Sequence, residues 1–216
     1  MPAAPDRVLT RQGEDRRAEL LAHAERLLLE RGVAGTRMRD IAEAAGVAKG
    51  LVYWYFDSKD ALLLAIVLDV RERLRAAQIH AIGDIAEPLD QLYVGTELSV
   101  RFIDEHWNLY TLLQSGFTDP AHADALGESA HVHALDTIAV VEAGQAVGTI
   151  RTEDPNVLAH ANQGVVNHFV LSCRRGHLPD VGTAAHAAAR TVVHIAAASA
   201  HGAAATIARR GPAATT

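Results

Sequence analysis

The 216-residue chain has one cysteine, Cys173. No intrachain disulfide is therefore possible, and a free thiol fits a reducing compartment. Aromatic residues make up only 5% of the chain. No alternating run of Val, Ile or Thr lies between turn residues, and alanine is abundant, a balance that favours helix over strand. Long apolar runs are missing too. The alanine-rich stretch 184–200 is interrupted by His186, Arg190 and His194 and makes a poor membrane span. Residues 1–13 hold no apolar block like that of a signal peptide. A soluble chain of the cytoplasm is expected.

Catalytic patterns are equally scarce. There is no glycine-rich phosphate loop and no Ser, His and acid set in a recognisable context. Twelve histidines invite a metal-site reading. However, His131 and His133 project about 200° apart on a helix and do not converge. His186, His194 and His201 lie nearer one face, without Cys, Asp or Glu at ligand spacing. Cys173, beside Arg174 and Arg175, could have a lowered pKa, against the commoner reading of a structural thiol. No cofactor or metal is expected, and a helical enzyme is the remote alternative.

A basic excess is also absent, since the net charge is −6. Its distribution matters more than its sum. Residues 1–60 carry ten Lys or Arg and ten Asp or Glu, so the whole deficit lies in the remainder. The N-terminal quarter is the part that phosphate repels least.

What is present is helical periodicity. Helices are expected over 14–31, 38–45, 48–55, 59–81, 89–106, 107–114, 121–147, 155–175 and 182–201. Gly32 stops the first, Asp57 or Ser58 caps the fourth, and Asp154-Pro155 is a strong start for the eighth. An all-α chain follows, organised as a flexible arm (1–13), an N-terminal helical part (14–60), a larger helical part (61–201) and a flexible tail (202–216).

Within 38–55, Ala42 is small enough to sit where two short helices cross, and Gly46 suits a tight turn between them. Ile41, Ala45, Val47 and Val52 fall where inward-facing residues would close the pair. These are helix-turn-helix spacings, although an ordinary helical hairpin has similar ones. The wider stretch is more specific. Gly35-Thr36-Arg37-Met38-Arg39-Asp40-Ile41-Ala42-Glu43-Ala44-Ala45-Gly46-Val47 is followed by Lys49-Gly50, Tyr53-Trp54-Tyr55-Phe56 and Ser58-Lys59-Asp60-Ala61-Leu62. From about Arg17 to Leu64, the chain resembles the TetR/AcrR family of regulators. The resemblance implies a three-helix DNA-binding domain over 14–60 and an effector-binding and dimerisation domain over 61–201, its helices forming a ligand pocket and a homodimer interface. Arg37 stands where the family often has a second Thr, and Leu51 where a small or polar residue is common, so no operator sequence carries over.

The second helix of such a unit lies in the major groove with its N-terminal residues at base edges. Those are Ala48, Lys49, Gly50 and Leu51. Lys49 can donate to guanine O6 or N7, and Leu51 can meet a thymine methyl or else belong to the core. Tyr53 and Tyr55 carry hydroxyls suited to phosphate, and Trp54 could pack on the sugar-phosphate wall. Lys59, in the first turn of a helix, and Arg39 are phosphate candidates. Thr36 and Arg37 complete the candidate DNA-facing set. Arg7 and Arg11 are either a minor-groove arm or, more simply, a solvated tail.

A pseudopalindromic double-stranded operator calls for a two-fold dimer. The helices over 155–175 and 182–201 are its candidate interface, through Ala159, Gly164, Ala184, Ala188 and Ala196, unless that surface packs within one subunit. Phe102, Trp107, Tyr110, Gln114, Phe117, His131, Asn167 and His168 are candidate lining for a mostly apolar effector pocket, its ligand hydrophobic or aromatic. The expected function is operator binding by a repressor that a small molecule releases, with the helix over 59–81 as transmitter. The alternative is a regulator, or activator, that responds to a partner protein or to no ligand.

Overall fold

A computed structural model describes residues 10–114 and 134–211. Every element among them is helical: α1 Arg11–Gly35, α2 Met38–Ala44, α3 Lys49–Tyr55, α4 Lys59–Ile82, α5 Pro88–Glu105, α6 Trp107–Gln114, α7 (134–146), α8 Pro155–Arg174, α9 Val181–Ala196 and α10 Ala200–Arg210. The described chain divides into two compact units, residues 10–69 with 108–114 and residues 70–107 with 134–211. Arg7, Phe117, His131, His133 and the first part of the helix expected over 121–147 lie outside the described residues.

In the first unit, Thr10 caps α1 by accepting from the Gly13 amide, so the helix begins three residues earlier than periodicity predicts. Gly32 breaks it as expected, at φ 72°, a left-handed conformation that costs glycine nothing. Leu20, Leu21, Ala24, Leu27 and Leu28 form its buried stripe. They supply the core that the short helices α2 and α3 need, because seven residues alone cannot nucleate a stable helix. Ser58 caps α4, its hydroxyl accepting from the Ala61 amide at 3.0 Å.

The second unit is built around α5, which packs along α8 and α9. Ala184, Ala185, Ala188 and Ala189 are fully buried there. Ala159, Ala184, Ala188 and Ala196, expected to bring two subunits together, instead bring helices of one subunit together. Of that set, only Gly164 stays exposed. Buried polar groups are paired. The Thr96 hydroxyl donates to the Leu92 carbonyl at 2.6 Å and sits 3.0 Å from the Asn162 carboxamide, and Ser99 donates to Gly95 while accepting from Gln78.

The end of the chain departs from expectation. The helix predicted over 182–201 stops at Ala196, and the predicted flexible tail over 202–216 contains most of α10. Ser199 caps α10 through the Gly202 amide. Ala203 and Thr206 are buried, and Arg209 and Arg210 reach Asp90 at 2.7 and 3.0 Å. Burial pushes the Asp90 carboxyl upward, but hydrogen bonds from Arg209, Arg210 and Thr206 outweigh it and hold the group below its ordinary value. Asp90 lies more than a hundred residues upstream, so local sequence pattern could not show its pairing with this helix.

The turn between α7 and α8 pins the corner between α9 and α10. Ile150 pairs with Ala197, and the Arg151 amide donates to the Ala196 carbonyl at 2.8 Å. The Arg151 guanidinium caps the carbonyls of His194 and Ala197, a cation at the negative end of a helix. The Ile150 side chain fills the notch left by Gly144, where a Cβ would stand 2.4 Å from Ile150 Cδ1. Gly144→Ala is therefore expected to lower stability by about 1–3 kcal/mol through overpacking, despite alanine's better helix propensity. A thermal melt of the variant beside wild type measures it.

Candidate nucleic-acid interface

α2 and α3 form a helix-turn-helix. Ala42 is buried where they cross, and its carbonyl accepts from the Val47 amide at 3.0 Å. Gly46, at φ 64°, makes the turn, a position where any Cβ is strained. Ile41, Ala42 and Val52 are buried, and Ala45 and Val47 half-buried, the inward set that the spacing predicts.

Burial of Val52 and Phe56 orients the rest of α3. Ala48, Lys49 and Gly50 are exposed, Tyr53 is 41% and Trp54 45% exposed, and Leu51 and Tyr55 are half-buried at the margins. Two large aromatics on the surface of a short helix are an unusual expense of apolar area, of the kind that marks a contact surface. The Lys49 ammonium lies over the Tyr53 ring, 5.3 Å from its centroid. Trp54 meets Tyr55 edge to face at 4.6 Å, and Arg17 of α1 stands over Phe56.

Arg39 is exposed and pairs with its neighbour Asp40 at 3.3 Å. The Asp40 carboxyl is held below its ordinary value by the Arg37 amide and then by Arg39. Arg37 itself is exposed at the N-cap of α2. Arg11, an exposed residue, opens α1 instead of lying in a free arm.

Two residues of the expected DNA-facing set are committed elsewhere. Thr36 is 1% exposed, and its hydroxyl is satisfied by the carbonyls of Gly32 (2.9 Å) and Leu27 (3.2 Å). It ties the end of α1 to the start of α2 and presents no side chain to a phosphate. The half-buried Lys59 donates to the Val33 carbonyl near the end of α1. A cation there is favoured by the carbonyl end of α1, which explains a lysine in a first turn that the dipole of α4 itself disfavours. Loss of binding in Lys59→Ala would therefore mix folding with phosphate contact, and Arg39 is the cleaner probe.

The expected effector residues among the described ones have these surroundings. Phe102 stacks on His106 at 4.2 Å and lines an open groove of about 370 Å³ along α5, with Val94, Leu98, Glu97, Arg101, Glu105 and Ala77. Trp107 packs on the cluster of Val100, Val166 and Val170, with the Arg174 guanidinium over its ring. Tyr110 is half-buried in α6, and Gln114 is the last residue of that helix. Asn167 and His168 lie on the exposed side of α8, bonded to Gln163 and Ser172. The inward polar residue of α8 is Asn162, which faces a cavity of about 10 Å³ lined by Leu92, Val141, Leu158 and Val192, room for about one water. Its spacing of four from Leu158 and Val166 could have identified it. Burial, and next Asp104, push the Cys173 thiol up, against an activated cysteine. Among the described residues no three His, Cys, Asp or Glu gather to hold a metal, and no helix is long and apolar enough to cross a membrane.

Fold and site together define an all-helical, helix-turn-helix DNA-binding transcriptional regulator. Residues 20–66 match the family of bacterial regulatory proteins described as the tetR family. The HTH-type transcriptional regulator Rv1255c of Mycobacterium tuberculosis is 29% identical over 76% of this chain and 77% of its own. The HTH-type transcriptional repressor KstR2 of Rhodococcus jostii is 50% identical over 22% of this chain and 24% of its own. A transcriptional regulator of Saccharomonospora viridis, solved in complex with choline, shares the fold at a TM-score of 0.70 and 19% identity, over 85% of this chain and 98% of its own. The chain is thus similar to TetR-family transcriptional regulators, with its residues 20–66 carrying the family match.

Gly50 separates a DNA-facing α3 from a merely structural one. A Cβ at Gly50 would meet nothing within 4 Å, so the protein itself has no steric need for glycine there. Gly50→Ala is expected to raise stability by up to about 1 kcal/mol through helix propensity. It should weaken DNA binding several-fold, because the added methyl meets the groove. Melting and mobility-shift titrations of the one variant test both effects.

Proposed function

We propose that this regulator is a cytoplasmic homodimeric repressor that holds a pseudopalindromic operator through α3 and leaves it when a small molecule binds. The observation that carries the reading is the exposure of Lys49, Gly50, Tyr53 and Trp54 on one side of α3. Ala48 and Leu51 complete the base-facing turn, while Tyr55, Arg37 and Arg39 surround it as phosphate contacts. Repression is supported by the relative named a repressor, and a small-molecule ligand by the choline-bound structure that shares the fold. In this reading residues 14–60 bind DNA and the helices beyond them carry the effector site and the dimer contact, with Phe102 and Trp107 the retained pocket candidates.

The effector acts by population shift. It releases DNA only to the extent that it binds more tightly to the arrangement whose reading helices are misspaced for successive major grooves. The helix α4 is the proposed transmitter.

Titration of the protein against its upstream promoter DNA across a salt series tests the reading. The expected result is tight, sequence-dependent binding with a steep salt slope. Arg39→Ala should weaken binding to every sequence alike and flatten that slope by about one. Weak, sequence-blind binding to all fragments in a genome-wide selection would contradict the proposal.

The dimer contact is proposed along the exposed faces of α8 and α9. Gly164 supports it: a Cβ there meets nothing within 4 Å, yet a glycine in the middle of an exposed helix face costs stability. Close approach of a second subunit would account for it. Gly164→Leu is expected to leave the subunit folded and shift the species in analytical ultracentrifugation from dimer to monomer. A Gly164→Leu dimer as tight as wild type would place the contact elsewhere.

A further inference from the structure

Lys49 and Tyr53 are four residues apart on α3, so one stands a helical turn from the other on the same face. The Lys49 Nζ lies 5.3 Å from the Tyr53 ring centroid, within the range in which the ring's negative face attracts a cation. Among the described residues the Lys49 ammonium makes no ion pair that competes with this contact. Both side chains are exposed, and Val52 between them is fully buried, so the pair faces outward on a fixed backbone.

The geometry matters because lysine is a poor reader of bases by itself. Its ammonium is a point charge on a flexible four-carbon stem, and it meets phosphates as readily as guanine edges. Selecting a base edge requires that the ammonium be held at one height and angle before the groove arrives. We infer that Tyr53 is a positioning residue for base readout: its ring holds the Lys49 ammonium in the pose that discriminates between bases, while its hydroxyl is left for the DNA backbone. This rests on the proposal that α3 reads DNA. It separates two functions of one tyrosine, the ring acting on specificity and the hydroxyl on affinity.

The test uses the full-length protein and a selected operator, together with operators substituted one base pair at a time. Affinities are measured for wild type, Lys49→Ala, Tyr53→Phe, Tyr53→Leu and the Lys49→Ala/Tyr53→Leu double variant. Wild type should distinguish the base pair under Lys49 by roughly ten-fold or more. Tyr53→Phe keeps the ring, so it should retain that ratio while binding all sequences a few-fold more weakly. Tyr53→Leu should lose most of the ratio at that one position, as Lys49→Ala does, and the double variant should be no less discriminating than Lys49→Ala alone. In the free protein, the Lys49 Cε protons should resonate upfield under the ring and move downfield in Tyr53→Leu but not in Tyr53→Phe. This readout requires no DNA and reports directly whether the pair forms.

A Tyr53→Leu variant that weakens binding equally at every sequence while keeping the ratio would overturn the inference and leave Tyr53 as a phosphate contact alone. Additive losses of discrimination in the double variant would overturn it as well. A wild type without base preference at any position would remove the readout by α3 itself, a failure distinct from the other two.

Discussion

A seven-residue helix does not hold its shape in water unless something outside it takes up its apolar side. For α3 that side is Val52, with Phe56 at the cap, both drawn into the interior of the first unit. This burial sets the rotation of the helix, and the rotation decides which residues remain outside. Lys49, Gly50, Tyr53 and Trp54 are outward because Val52 is inward. The neighbouring supports serve the same end. Gly46 turns the chain sharply, Ala42 lets the helices cross closely, and Thr36 and Lys59 tie α1 to the elements that follow it. The exposed face of α3 is thus ordered on a small core before any partner arrives, an arrangement that lowers the ordering cost of the proposed contact with DNA.

The second unit uses a different economy. Alanines of α9 buried against α5 and α8 allow close helix packing with little side-chain entropy to lose. The structure is then closed at two corners. Arg151 and Ile150 hold the end of α9, and the Asp90 carboxylate holds α10 through two arginines. The first corner also gives partners to backbone carbonyls at the end of α9.

Periodicity and caps made most of the elements legible. The buried stripe of α1, the helix-turn-helix spacing and the Asp154-Pro155 start of α8 can all be read within a few residues of one another. The exposed residues of α3 are legible for the same reason, since they are the complement of a short apolar pattern. What could not be read locally involved partners far away in sequence. Lys59 resembles a phosphate ligand until the Val33 carbonyl is placed beside it, and Thr36 until its hydroxyl is found buried. An Ala- and Arg-containing end resembles a tail until Asp90 receives it. Asn167 and His168 resemble pocket residues in type, while the register of α8 turns Asn162 inward and leaves those two exposed. Small residues mislead in a related way, because an alanine stripe serves equally well inside one subunit or between two.

The claim on which the account depends is that the exposed face of α3 meets DNA. Hydroxyl-radical footprinting of the protein, free and bound to its operator, tests it directly, because the chain's two tryptophans, Trp54 and Trp107, report on different units. The account predicts that operator binding strongly lowers oxidation of Trp54 and Tyr53 and leaves Trp107 little changed. Full reactivity of Trp54 and Tyr53 in a saturated complex would contradict it, and would mean that this protein holds DNA by another surface.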